Sequence, residues 1–142
     1  MTFIVEFWHF PGSDRCPACE FVSAIGDPKA QKKILRNLEM IETFRISQFW
    51  ELYKAELIEK IDSELYAVRI EFNGIQYRLA FSLDGYRAVI YHGFVKKGKK
   101  IPLREIRTAK NRYKIHLETV RARVERTTEI LSIFKERNGN ET

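Results

Sequence analysis

Arg69 and Arg78 stand on either side of an Asn73-Gly74 pair, between two runs of alternating apolar residues. Asn-Gly in that setting specifies a tight hairpin, because a type I′ turn needs positive φ at both central residues. With a two-residue loop, paired residue numbers sum to 147, which sets Arg69 directly opposite Arg78. Two opposed cations repel each other, so the pair makes sense if an anion sits between them. A guanidinium fork binds phosphate oxygens in pairs, and phosphate is the anion this chemistry suits. A second turn at Asp84-Gly85, read the same way, gives a sum of 169 and sets Arg78 opposite Tyr91 and Tyr77 opposite His92. The third run then ends in four lysines, Lys96, Lys97, Lys99 and Lys100.

These residues need a sheet to hold them. Tyr66, Val68, Ile70 and Phe72, with Ile75, Tyr77, Leu79, Phe81 and Leu83, alternate as one apolar face, which leaves both arginines on the other. Strand parity puts Lys97 on the arginine face and Lys96 behind it, if no bulge intervenes. His92, opposite Tyr77, falls on the apolar face as a core histidine. Upstream, Thr2 to Phe10 reads as a strand covered on both sides, and Pro17 to Ile25 as a short helix capped by Gly26. Asp27-Pro28 opens a helix to about Thr43, with Ile34, Leu38 and Ile41 inward and Lys29, Lys32, Lys33 and Arg36 outward. Residues 44–64 fit a short helix or a strand. After Pro102 a run without glycine or proline to Asn138 predicts one long helix. From Tyr113 its apolar positions, Leu117, Val120, Val124, Thr127, Leu131 and Phe134, alternate by four and three, a heptad seam. Such a helix is on the order of 50 Å long, so its end projects or folds back, and the seam raises a homodimer through it.

The chain has 142 residues, 44% of them hydrophobic, enough for one domain with a proper core. Its net charge of +6 is unevenly placed: residues 1–64 hold 8 Lys/Arg against 11 Asp/Glu, and residues 65–142 hold 17 against 8. A basic half that contains the arginine-bearing sheet favours a polyanionic partner, nucleic acid before membrane. No run approaches the roughly 20 apolar residues of a membrane span, and the start lacks a signal-peptide pattern, so a cytoplasmic protein is expected. Cys16 and Cys19, in Cys-Pro-Ala-Cys, lack a second ligand pair for zinc and read as two reduced thiols; no metal and no cofactor are expected.

The ordered set Leu65-Tyr66 with Arg69, then Tyr77-Arg78, then His92, Phe94, Lys96, Lys97 and Pro102, then Glu105, Ala109 and Arg112 resembles the RelE/ParE toxin superfamily. Within it, the likeness is to phage-derived HigB-like toxins of type II toxin-antitoxin modules, over about Asp27 to Tyr113. It implies an α+β, RelE-like fold: N-terminal helices on a twisted antiparallel sheet of 3–5 strands, with a toxin domain over 1–113 and a helical extension over 114–142. Ala67, where the family usually has Glu, the Cys-Pro-Ala-Cys segment and the extension depart from the pattern.

The resemblance implies an endoribonuclease that cleaves messenger RNA on the ribosome, the ribose 2′-OH attacking the adjacent phosphate. It also implies a helix-turn-helix antitoxin as partner. Arg69 and Arg78 would hold the phosphorane. Crowding among the lysines would free Lys97, or Lys96, as the base. Tyr91 would stack on a base or protonate the leaving oxygen, and His92 ranks behind it as acid or base. Lys99, Lys100, Arg87, Arg112 and Tyr113 would bind RNA. Two other readings share these residues: a gyrase-directed toxin of the ParE kind, and a non-catalytic nucleic-acid-binding module.

Overall fold

A computed structural model of the chain describes residues 1–140. It is α+β: β1 (Ile4–Phe7), α1 (Pro17–Ala24), α2 (Pro28–Glu42), a 3-10 turn (Ile46–Gln48), α3 (Phe49–Lys54), β2 (Ile58–Lys60), β3 (Tyr66–Phe72), β4 (Ile75–Asp84), β5 (Arg87–Lys96) and α4 (Leu103–Asn140). The five strands form one sheet in the order β1-β5-β4-β3-β2. Its strands are antiparallel except β1, which runs parallel to β5 and makes the sheet mixed. The ambiguous stretch 44–64 contains both alternatives, a short helix and then a three-residue strand.

Each face of the sheet carries its own core. On one, Val68, Ile70, Tyr77, Leu79 and Phe81 pack under α2, with Ile34, Leu38 and Ile41 from the helix. Asp27 starts α2 as expected, accepting from the Lys29 amide at 2.9 Å. On the other face, Trp8, Ala80, Val89, Tyr91 and Phe94 pack under α4 through Ala109. Both faces of the sheet are therefore claimed by helices.

The first hairpin has the expected register, with Arg69 paired to Arg78, and positive φ at Asn73 (54°) and Gly74 (76°). The second departs from it twice. Asp84 pairs with Arg87, so Gly85 (φ 61°) and Tyr86 form the loop instead of Asp84 and Gly85, and paired numbers sum to 171. A β-bulge then interrupts the ladder: Phe81 pairs with Ile90 but Ala80 with His92, which leaves Tyr91 unpaired between them. The two-residue slip preserves which side each residue faces; the bulge reverses it for everything beyond. His92, Phe94 and Lys96 therefore join the arginine face, and Gly93, Val95 and Lys97 leave it. Arg78 is opposite Phe94, not Tyr91.

Three smaller expectations also change. β1 spans four residues, shorter than the run from Thr2 to Phe10, and its Ile4 is exposed. Helix α1 ends at Ala24 with an extended Ile25 as its cap, so Gly26 plays no capping part. Cys16 and Cys19, three residues apart across the start of α1 with Cα atoms at 5.2 Å, are joined as a disulfide and are not free thiols. No helix among the described residues is long and apolar enough to cross a membrane, and no group of potential metal ligands gathers among them.

Candidate functional site

Glu59, on the short edge strand β2, is the anion between the arginines. Its carboxylate receives Arg78 Nε at 3.3 Å, Arg69 Nε at 3.7 Å and Lys96 Nζ at 3.6 Å. Glu59 pairs with Ala67, which sets it diagonally from Arg69 on the same face, and the bulge in β5 turns Lys96 toward it. Three strands and one irregularity thus converge on one carboxylate.

The three cations are not equivalent. Arg78 is 1% exposed, and it also donates to the Tyr77 carbonyl at 3.0 Å and the Gln76 amide oxygen at 3.2 Å. Its fork is used up inside the protein, so the expected solvent-facing pair of arginines is one buried residue and one open residue. Arg69 is 29% exposed and also reaches Glu71 at 3.7 Å. Its Nε is buried without a hydrogen bond, an uncommon state for a guanidinium donor. Behind it Asn37 of α2 donates to the Arg69 carbonyl at 3.0 Å and Lys33 donates to that of Glu71, which fixes the strand. Lys96 is 12% exposed and opens onto a groove lined by Glu59, Lys60, Lys99, Lys100, Ile101 and Ile106. Lys97, favoured over Lys96 on strand parity, is exposed on the other face.

A second constellation lies farther along β5, where α4 docks. His92 Nδ1 accepts from Arg112 at 3.2 Å, and its Nε2 stands 2.9 Å from Glu105. Because a guanidinium can only donate, Nδ1 is the acceptor and Nε2 carries the proton, which makes His92 neutral. Burial lowers its pKa; the Glu105 carboxylate opposes that shift and Arg112 adds to it. Arg112 also donates to the Tyr91 carbonyl at 3.0 Å, while Ala109, fully buried, lets the helix approach the sheet. Glu105, Ala109 and Arg112 are therefore a clasp that holds α4 down over the bulge.

That clasp removes several expected site residues. Tyr91 is fully buried, its hydroxyl bonded to Ser82 at 2.7 Å, and burial pushes its pKa far above the ordinary phenol value, so it can neither stack on a base nor release a proton. His92 sits not in the apolar core but in the clasp. Arg112 is held at His92, and Tyr113 stacks edge-on against Tyr91 at 6.0 Å. Arg87 lies at the opposite end of β5 from Lys96 and pairs with Glu6 at 3.5 Å. Lys99 and Lys100 do border the groove. Glu59, the hub, does not stand out in the sequence: its only signal is the alternation Ile58-Glu59-Lys60, too short to show a period.

Residues 26–114 match the family model of phage-derived Gp49-like proteins (DUF891), a family associated with RelE-like toxins. The chain belongs to this Gp49-like family. The match contains the Glu59 cluster and the α4 clasp, and it ends before α4 leaves the body. A search of curated proteins finds no match to the chain.

Proposed function

We propose that this Gp49-like protein is the toxin of a type II toxin-antitoxin module, an endoribonuclease that cleaves messenger RNA at the ribosome. The buried Nε of Arg69, which stands 3.7 Å from Glu59 and makes no hydrogen bond, carries this reading; Glu59 itself links it to the lysine-lined groove onto which Lys96 opens. An RNA phosphate entering there gives Arg69 the hydrogen bond it lacks. Lys96, Lys99, Lys100 and Lys60 supply positive charge along the backbone.

The chemistry needs a base, an acid and charge on the phosphorane. Glu59 accepts the ribose 2′-OH proton as the 2′-oxygen bonds to phosphorus. The P–O5′ bond breaks, and Lys96 protonates the departing 5′-oxygen, leaving a 2′,3′-cyclic phosphate and a free 5′-OH. Proton transfer from Glu59 to Lys96, already in contact, restores both groups. Arg69 holds the phosphorane oxygens. Arg78 does not reach substrate; it positions Glu59 from beneath.

Growth of cells expressing the protein tests this directly. Arg69→Ala, Lys96→Ala and Glu59→Gln should each abolish growth arrest while purified protein keeps its circular dichroism spectrum. Arrest by all three at the parent level would sink the assignment. A binding-only module is favoured by the contact of all three cations with the Glu59 carboxylate, which ties up the one base in the cluster, and it predicts RNA retention with no 2′,3′-cyclic phosphate product. A gyrase-directed toxin would act in a supercoiling assay instead.

A further inference from the structure

The face of α4 that packs on the sheet does not stop where the sheet stops. Tyr113 and Val120 lie against the body, but every residue from Arg121 to Asn138 is exposed. Along that free length Val124, Leu131 and Phe134 continue the stripe begun at Leu117, and Ile130 flanks it. An exposed apolar row of this length on a projecting helix is a docking surface rather than scattered surface hydrophobicity.

Its charges say what docks. At about 100° per residue, Glu118, Glu125, Glu129 and Glu136 fall within about 40° of one another, on the side opposite the stripe. The bases lie along its two shoulders, Arg121 and Lys135 on one, Arg123 and Arg137 on the other. In coiled-coil terms these are e and g positions, the ones that meet a partner helix and set its identity. A second copy in either orientation would bring basic shoulders together, and like charges there oppose pairing. We propose that the free half of α4 binds a partner protein's amphipathic helix with an apolar seam and acidic shoulders, not a second copy of this chain. A groove between the residue 6–13 segment and α4, lined by Trp8, Phe10, Val120 and Arg123, begins where the free stripe starts and gives that helix an end to rest in. The stripe lies almost wholly beyond the family match, so this surface belongs to the extension. It does not depend on the RNA-cleavage reading.

The full chain and two synthetic 28-residue heptad peptides, Val at a and Leu at d, one with Glu and one with Lys at e and g, test this by fluorescence anisotropy. The chain should sediment as a monomer and bind the acidic peptide at least about tenfold more tightly than the basic one. Leu131→Asp should weaken that binding at least tenfold with helical ellipticity unchanged. The fourfold variant Arg121→Glu, Arg123→Glu, Lys135→Glu, Arg137→Glu should reverse the preference. A dimer dissolved by Leu131→Asp would overturn the proposal in favour of a second copy. Equal affinity for both peptides, or none for either, would overturn it outright.

Discussion

Arg69 and Arg78 are paired across one hairpin and carry the same charge, yet their surroundings give them different tasks. Arg78 is sealed in with three acceptors, so Arg78→Ala loses hydrogen bonds and leaves Glu59 to the other two cations. The expected cost is about 3 kcal/mol in urea unfolding. Arg69, partly exposed and only loosely paired, should cost under about 1 kcal/mol on replacement by alanine while removing activity. A difference in the reverse direction would show that the buried fork is not structural. His92 supplies a pH test. Its folded pKa lies below the ordinary 6.5, so above pH 6.5 it is neutral in both states and its contribution to stability is complete. As pH falls below 6.5 the unfolded chain takes up a proton that the folded chain resists, and stability declines. His92→Gln, which can still accept from Arg112 and donate to Glu105, should flatten the decline between pH 7 and about pH 5.5, measured as unfolding midpoints.

At the scale of elements, the bulge at Tyr91 decides the site. Without it Lys96 would face away from Glu59, and His92 would point into the core rather than to the α4 clasp. The same irregularity puts Gly93 beneath α1, where an added Cβ would stand 2.3 Å from the Phe21 ring. That glycine is required by close approach. Gly93→Ala must push Phe21 and α1 off β5, and a loss of about 1–3 kcal/mol in thermal or chemical unfolding is expected. Growth arrest at permissive temperature should survive, because α1 lies on the face opposite Glu59. Phe21→Ala in the same chain should recover part of the loss by making room.

Across the whole molecule, α4 has two halves with separate work. Up to Val120 it is part of the fold, closing the second core over Tyr91 and Phe94. Beyond, every described side chain to Asn138 is exposed. A chain ending at Val120 should therefore unfold within about 1 kcal/mol of the full chain, while one ending at Arg112 loses Tyr113 and Ile115 from the core and should fall well below it. If the Val120 truncation unfolds much earlier, the free half does contribute to the body. At about 57 Å for 38 residues, α4 is longer than the body can cover, which is why its apolar stripe stays exposed beyond Val120.

Local rules that act over a few residues were legible in the chain alone: the Asn73-Gly74 turn and the Arg69–Arg78 pairing, the Asp27 cap, the inward stripe of α2, the long helix after Pro102 and its heptad spacing. Each rests on turn chemistry, capping or periodicity, which nearby residues determine without knowledge of the rest. The α+β architecture followed from their order. Glu59, Lys96 and His92 were placed only by tertiary structure, because a bulge leaves no periodic trace and a three-residue edge strand is too short to declare itself. Nor could spacing alone tell a buried Arg78 from an open Arg69; that difference arises because Arg78 lies on β4 at the centre of the sheet, while Arg69 lies on β3 beside the short edge strand β2.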